Sequence, residues 1–191
     1  MQPPPSGMRK WLAIALAAVT CWVIFLMTAG DFLKVGQMAP PALETLEVPR
    51  PAEFRWELED LDGKPVDFAR YKGRPILLNL WATWCGPCLQ EMPSIASLAA
   101  SKDLEGRNVA FVCVSTDESA EALRRFMKGK DWPMTILRAK DVPPAYQTQG
   151  IPATFLIAPD GRIAAVEIGA AQWDDPSVAY FLQKLARAGG K

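Results

Sequence analysis

The sequence predicts an α/β domain whose central mixed sheet is flanked by helices, with an extra β-hairpin ahead of the sheet and one transmembrane helix ahead of both. Three observations predict this organisation. From residue 76 onwards, apolar runs typical of buried strands alternate with segments of helical periodicity. Two short alternating segments joined by a turn signal, Asp62-Gly63-Lys64, precede them. Twenty consecutive uncharged residues lie near the N-terminus.

Composition and charge narrow the range of functions. The chain has 191 residues, 50% of them hydrophobic and 22% charged, which suits one globular domain with additional segments. Lys plus Arg number 21, and Asp plus Glu also number 21, so no excess positive charge is available to track a nucleic-acid backbone. The absence of histidine excludes Ser-His and Cys-His catalytic pairs and Cys/His zinc fingers. The chemistry must therefore rest on Cys, carboxylates, Lys or the backbone.

Residues 11–30 predict a transmembrane signal-anchor helix. They carry no charge, and as a helix they would span about 30 Å, the thickness of a bilayer's hydrocarbon core. Arg9 and Lys10 precede the stretch, so residues 1–10 are expected in the cytoplasm and the rest of the chain outside. A cleaved signal peptide is the alternative, because small residues stand at positions 28–30. Lipidation at Cys21, as in a bacterial lipoprotein, fits less well, because the residues before Cys21 do not match the lipoprotein signal.

The exported part begins with a predicted tether. Residues 31–52 contain four prolines and little apolar periodicity, which is typical of an extended linker. The globular domain is predicted to cover residues 53–191. Its first elements are the strands of the hairpin, Phe54–Leu58 and Val66–Phe68.

The middle of the domain predicts a parallel crossover unit. Ile76–Trp81 is an apolar run broken only by one polar residue, as in a strand buried on both faces. A helix over residues 86–101, kinked at a proline, follows it. A second buried strand at Asn108–Ser115 and a helix at Ser119–Lys128 repeat the order.

The C-terminal part predicts an antiparallel hairpin and a final helix. Strands at Thr154–Ile157 and Arg162–Ile168 are joined by Pro159-Asp160-Gly161, a tight-turn sequence. In Pro176–Ala188 the apolar residues recur every three or four positions, which indicates an amphipathic helix.

The sequence Trp84-Cys85-Gly86-Pro87-Cys88 carries the predicted chemistry. It lies where the first buried strand ends and a helix begins, so unpaired backbone N–H groups and the helix dipole favour a thiolate at Cys85. Cys85 is the predicted nucleophile, and Cys88, one turn further on, is the predicted resolving thiol. The alternatives are a structural disulfide or half of a metal site. Zinc would need two further ligands, and only Cys21 and Cys113 remain, so we expect no metal and no cofactor.

Two longer motifs point to a known family. They are Asn79-Leu80-Trp81-Ala82-Thr83-Trp84-Cys85-Gly86-Pro87-Cys88 with Glu91-Met92-Pro93, and Gly150-Ile151-Pro152-Ala153-Thr154-Phe155-Leu156-Ile157. The sequence resembles thioredoxins, and more closely the TlpA/ResA family of membrane-anchored, thioredoxin-like thiol-disulfide reductases of bacteria. The resemblance runs from about residue 40 to the C-terminus and implies a thioredoxin fold.

The resemblance also implies roles for individual residues. Pro152 should follow a cis peptide bond and pack against the cysteine pair, and the backbone of Ile151 should pair with an extended segment of the substrate. Glu91 lies three residues after Cys88, on the same helix face, and would take the proton of that thiol as it attacks. Classical thioredoxins carry a buried Asp where this chain has Asn79. Because Asn cannot act as a base, Glu91 is the candidate general base. The alternative for Glu91 is a solvated helix residue.

Substrate contact is expected around the cysteine pair. Trp84, Gly86 and Pro87 are assigned to substrate binding together with Ile151 and Pro152. The sequence leaves open whether Trp81 belongs to the core or the site, and whether Gly169 lines the substrate groove or only ends a strand. Cys113, in the middle of an apolar strand, is expected to be a buried core thiol, and Cys21 to be inert.

The predicted function is reduction of disulfides in exported proteins. The Gly86-Pro87 pair, with Ile151 before the cis-proline, is the thioredoxin-like combination and favours reduction. The resemblance implies clients such as apocytochrome c or a copper-site protein, and a membrane thiol carrier of the DsbD/CcdA kind as electron donor. The catalytic domain is expected in the periplasm, held at the bacterial inner membrane by a single span.

Two other functions of proteins with this fold match the sequence less well than reduction does. A peroxidase of the peroxiredoxin type needs Thr or Ser three residues before the reactive Cys and Pro seven before it, where this chain has Ala82 and Leu78. A Cu(I) chaperone on this fold usually spaces its cysteines one residue wider and adds a histidine, and neither feature is present.

Overall fold

The structure is a computed structural model that describes residues 11, 15–25, 38–43, 45–46 and 49–189, and the chain divides into two units, Met1–Gln37 and Met38–Lys191. In the first unit, residues 15–25 form helix α1. The predicted signal-anchor, residues 11–30, therefore lies partly outside the described residues. Residues 1–10 and 31–37 lie wholly outside them. Within the described part of the chain, no helix combines the length and the apolar character that crossing a membrane requires.

The second unit is built on one mixed sheet. Its strands are β1 (Arg50–Pro51), β2 (Glu57–Glu59), β3 (Pro65–Asp67), β4 (Ile76–Trp81), β5 (Ala110–Ser115), β6 (Thr135–Arg138), β7 (Ala153–Ile157) and β8 (Arg162–Ile168). Its helices are α2 (Gly86–Ala99), α3 (Ala120–Met127) and α4 (Pro176–Ala188). The strands lie in the order β1-β8-β7-β4-β5-β6-β2-β3.

Strand β4 lies in the interior of this sheet and leads into the cysteine motif. All six of its residues are buried, and it pairs with β5 in parallel and with β7 antiparallel. Helix α2 connects β4 to β5 and α3 connects β5 to β6, so the predicted parallel crossover is confirmed. The result is a thioredoxin-like mixed sheet with β4 delivering the active-site segment at its C-terminal end.

The two faces of the sheet are covered differently. Side chains from α2, α3 and α4, including Leu98, Leu123 and Leu182, form one apolar cluster on one face. The other face packs against Phe68 and Tyr146, which lie in short 3-10 turns, and against aromatic residues near the hairpin. The expectation of helices on both sides therefore holds only if these 3-10 turns are counted.

The compact unit begins before the predicted boundary at residue 53. Of the predicted tether, residues 38–43, 45–46 and 49–52 are described within this unit. The N–H of Leu46 donates to the carbonyl of Ala164 at 2.9 Å, and β1 pairs antiparallel with β8. Prolines and single apolar residues give this segment no periodicity, so its pairing along β8 left no pattern in the sequence.

Candidate active site

Cys85 and Cys88 form a disulfide at the N-terminus of α2. The S–S distance is 2.01 Å and the two Cα atoms are 5.3 Å apart. Cys85 is the N-cap residue of the helix, and its Sγ accepts the N–H of Cys88 at 3.2 Å. Cys85 is 5% exposed and Cys88 is 0% exposed, so Sγ of Cys85 is the sulfur that a partner reaches first. Opening the bond leaves a thiolate at a helix N-terminus, which backbone N–H groups stabilise.

The peptide bond before Pro152 faces this disulfide. It is cis, as the resemblance implied, and Pro152 is buried. The carbonyl oxygen of Ile151 lies 3.8 Å from Sγ of Cys85. The N–H of Gly169 donates to the carbonyl of Pro152 at 2.9 Å, so the end of β8 supports the proline segment. The structure thus brings Ile151 and Pro152 next to Cys85.

Glu91 is buried on the inner face of α2, so the alternative of a solvated helix residue is wrong. It is 0% exposed, and three donors surround its carboxylate. Oε1 accepts from Nδ2 of Asn79 at 2.8 Å; Oε2 accepts from the N–H of Ala171 at 3.2 Å and from Nε1 of Trp173 at 2.9 Å. Burial raises the pKa of Glu91 above its ordinary value, although the hydrogen bonds from Trp173, Ala171 and Asn79 oppose that rise.

Asn79 links Glu91 to the neighbouring strand. Its Nδ2 donates to Oε1 of Glu91 and also to Oγ1 of Thr154, each at 2.8 Å. Its Oδ1 has no hydrogen-bond partner. Asn79 therefore acts as a donor that positions the Glu91 carboxylate and has no role as a base.

The tryptophans beside the cysteine pair lie in different environments. Trp84 is 71% exposed, whereas Trp81 is fully buried and packs against Phe126 and Trp132. Trp81 therefore belongs to the core, which decides the question that the sequence left open. Gly86 and Pro87 are exposed beside Trp84.

The sequence did not predict Asp117, which fixes the active-site segment from the next strand. Asp117 is 3% exposed and follows β5. Its Oδ2 accepts the N–H of Thr83 at 2.9 Å and its Oδ1 accepts the hydroxyl of Thr83 at 2.7 Å, and the hydroxyl of Ser115 also donates to it. Its place directly after a parallel strand next to β4 was the available signal, since the C-terminal ends of such strands meet at one edge.

Trp173, the other residue that sequence reasoning missed, had no such signal. It follows β8 by five residues in the chain, and only the fold brings its indole to Glu91. The loop that carries it is also tied to α2 by Ser94, whose Oγ accepts the N–H of Trp173 at 3.0 Å.

The remaining cysteines stay apart from the disulfide. Cys113 is a buried free thiol on β5, as predicted, and Cys21 is a free, exposed residue of α1. Burial raises the pKa of the Cys113 thiol well above its ordinary value, and the negative charge of Glu91 adds to that rise. Among the residues that the structure describes, no group of three Cys, Asp or Glu side chains is placed to hold a metal ion.

A thioredoxin-like sheet with a C-x-x-C disulfide at the start of a helix defines a thiol-disulfide oxidoreductase. The comparisons with known proteins agree. The family model described as Redoxin matches residues 34–182. Thiol-disulfide oxidoreductase ResA of Halalkalibacterium halodurans is 32% identical over 163 residues, covering 84% of this chain and 87% of that protein. The chain belongs to the redoxin family and, within it, to the ResA-type thiol-disulfide oxidoreductases.

Other similar proteins carry related names. ResA of Bacillus subtilis is 37% identical over 114 residues, which are 59% of this chain and 63% of that protein, slightly under two thirds of its length. A crystal structure from Bacteroides vulgatus, assigned provisionally as a thiol-disulfide oxidoreductase, has a TM-score of 0.62 and 30% identity; the match covers 72% of this chain and 96% of that one. A secreted Mycobacterium tuberculosis disulfide oxidoreductase homologous to Escherichia coli DsbE has a TM-score of 0.52 and 25% identity, over 71% and 96% of the two chains.

Proposed function

We propose that this protein is a membrane-anchored periplasmic reductase that transfers two electrons from the Cys85 and Cys88 thiols to disulfides of exported protein partners. The observation that carries the proposal is the asymmetry of the site. Cys85 keeps a small exposed fraction, whereas Cys88 is fully buried three residues before the buried Glu91 on the same helix. That arrangement suits a nucleophile, a resolving thiol and a proton acceptor.

The proposed reaction has two exchange steps. The Cys85 thiolate attacks one sulfur of the substrate disulfide, forms a mixed disulfide and releases the first substrate thiolate. Cys88 then gives its proton to the Glu91 carboxylate and attacks Sγ of Cys85, which releases the second substrate thiolate. The enzyme is left as the Cys85–Cys88 disulfide, and the substrate has gained two electrons.

Substrate contact is assigned to the exposed surface around Cys85. Three exposed residues adjoin the cysteines in the chain: Trp84, Gly86 and Pro87. The Ile151–Pro152 peptide lies beside Sγ of Cys85. An extended substrate segment that pairs with the backbone of Ile151 would bring its own disulfide to Cys85. Apocytochrome c and copper-site proteins, whose cysteines must be reduced before metal or haem is attached, are the clients that fit this chemistry.

The anchor and the electron donor are part of the same proposal. The uncharged stretch of residues 11–30 supports a single span in the inner membrane. The periplasm is kept oxidising, so a reductase there must be re-reduced, and a membrane thiol carrier of the DsbD/CcdA kind would do this. A relative described as secreted, the M. tuberculosis oxidoreductase, supports function outside the cytoplasm.

The test is the reduction potential of the full chain in detergent. Equilibration with thiol buffers while tryptophan fluorescence is followed gives the potential, since Trp84 adjoins the disulfide. A value near that of thioredoxin, about −270 mV, supports reduction, whereas a value near that of DsbA, about −120 mV, reverses the direction of electron flow and overturns the proposal. A Cys88→Ser variant, which cannot resolve the mixed disulfide, then captures the client for identification.

A further inference from the structure

The segment Ala39–Leu43, which we term the strap, lies against the loop that holds Glu91. The carbonyl of Ala39 accepts the N–H of Gln172 at 2.8 Å. The two neighbours of Gln172 in the chain are the residues that donate to Oε2 of Glu91. The strap therefore fixes the backbone of the loop from which Glu91 receives its hydrogen bonds.

The strap also holds a second carboxylate, Glu167, whose charge acts on Glu91. The N–H of Ala42 donates to Oε2 of Glu167 at 3.0 Å. Glu167 lies on β8 opposite Thr154, which accepts from the same Asn79 amide that donates to Glu91. The negative charge of Glu167 contributes to raising the pKa of Glu91.

Two side chains of the strap are shielded from solvent on the face of the sheet that carries the cysteine pair. Pro41 is buried, and Leu43 packs against the cluster that contains Cys85, Cys88 and Trp173. Leu46, three residues beyond the strap, packs against the cluster on the opposite face of the sheet. The strap therefore packs on the face that holds Cys88 and Trp173, and Leu46 does not.

In the described part of the chain, three titratable groups are linked to Glu91 by charge or by their position on its helix. Glu167 lies on β8, and Cys113 lies on β5, where the charge of Glu91 affects its thiol. Cys88, on the same helix as Glu91, becomes the third once the disulfide is reduced. Of these, Glu167 is the one that the strap contacts.

We propose that the strap is part of the catalytic centre: Ala39–Leu43 positions the hydrogen-bond donors of Glu91, keeps water from its carboxyl group, and so sets the pH range in which Glu91 accepts the proton of Cys88. The residues of the strap are positioning residues, and this inference rests on the proposed function of Glu91. Shortening Leu43 or removing the N–H of Ala42 leaves the Ala39–Gln172 hydrogen bond, and with it the donors of Glu91, in place. These changes hydrate the carboxyl or free Glu167 to turn away, and both effects lower the pKa of Glu91.

The experiment compares two matched variants of the full chain, Leu43→Ala and Leu46→Ala. Both shorten a partly buried leucine, one in the strap and one three residues beyond it, but only Leu43 packs on the cluster that contains Cys88 and Trp173. The ¹³C resonance of the Glu91 carboxyl, assigned by its loss in Glu91→Gln, is titrated in the oxidised protein. The titration of Leu43→Ala should move to lower pH, and that of Leu46→Ala should match the unchanged protein. Equal titrations in all three proteins, or equal shifts in both variants, would overturn the inference.

A second variant guards against loss of folding in Leu43→Ala. Ala42→Pro removes the N–H that holds Glu167 and leaves Leu43 unchanged, and it should move the titration in the same direction. An unchanged titration in this variant would contradict the assignment to the strap.

The acid limb of the thiol-exchange rate, measured on the reduced proteins, should move with the carboxyl titration. Because the NMR titration needs no turnover, it separates the two proposals. If Glu91→Gln leaves exchange unchanged, the proposed role of Glu91 fails, whatever the strap variants do.

Discussion

The indole of Trp173 offers a sharp test of how Glu91 is tuned. Trp173 is fully buried, and its Nε1 donates to Oε2 of Glu91 at 2.9 Å. Trp173→Phe keeps a large apolar ring in the same cluster but removes this donor. Glu91 then retains the N–H of Ala171 and the amide of Asn79 as its remaining donors.

The size of the effect follows from the kind of hydrogen bond that is lost. A hydrogen bond to a charged group contributes about 1.5–3 kcal/mol. Since about 1.4 kcal/mol corresponds to a tenfold change in an equilibrium constant, the ionisation constant of Glu91 should fall by roughly 10- to 150-fold. Glu91 is 0% exposed, so solvent does not weaken this effect. On the acid side of its profile, the rate of the Cys88 step should fall by the same factor.

A symmetrical aromatic disulfide that releases two coloured thiolates separates the steps. In stopped flow, the first phase reports attack by Cys85, and the second reports attack by Cys88 on the mixed disulfide. Trp173→Phe should move the acid limb of the second phase to higher pH and leave the first phase unchanged. If both phases keep the profile of the unchanged protein, Trp173 does not tune Glu91.

Trp81→Phe is the matched control. Trp81 is also fully buried in the same cluster, but its Nε1 has no hydrogen-bond partner. The substitution is chemically identical and removes no donor from Glu91. A shift of the second phase in this variant equal to that of Trp173→Phe would assign the effect to lost packing and refute the reasoning.

Three further predictions concern stability and reactivity. Burial raises the pKa of Glu91 in the folded state above its unfolded value of 4.5, so its protonation stabilises the fold at low pH, and this contribution is lost as pH rises through the folded pKa. In denaturant titrations, the free energy of unfolding of Glu91→Gln relative to the unchanged protein should therefore improve as pH rises through that window. A difference that stays constant with pH would contradict this prediction. Asp117→Ala removes the buried acceptor of Thr83 and Ser115 and should lower the free energy of unfolding by at least about 2 kcal/mol in the same assay. A loss below about 1 kcal/mol would show that these hydrogen bonds contribute little to stability. Cys113 should resist alkylation in the folded protein and react only in denaturant, as peptide mass spectrometry would reveal; rapid labelling under native conditions would refute its burial.

The strands and helices predicted most accurately are those whose periodicity has a single physical cause. Ile76–Trp81 matches β4 because a strand covered on both faces is apolar throughout. Pro176–Ala188 matches α4 because an amphipathic stripe coincides with a side-chain cap from Asp175 and a proline in the first turn. Strand β6, with only four residues, was missed, since so short a segment has no distinctive period.

In the candidate site, residues that are close in the chain could be predicted to lie together, whereas residues that only the fold brings together could not. Cys85, Cys88 and Glu91 lie on one helix and its N-cap, so their spacing alone predicts that they lie close together. The donors that hold Glu91 in place come from β4 and from the loop after β8, and their proximity depends on the order of strands in the sheet. No spacing along the chain encodes that order.

The two edges of the sheet bear on how this protein behaves in a crowded compartment. At one edge, β1 and the backbone hydrogen bonds next to it pair with N–H and C=O groups along β8. These groups are therefore not open to another molecule. At the opposite edge, β3 has only three residues, including Pro65, which lacks an N–H, and the charged Asp67. Short, proline-containing or covered borders resist intermolecular strand pairing. These borders therefore leave few backbone groups free to pair with another copy of the chain, which discourages self-aggregation.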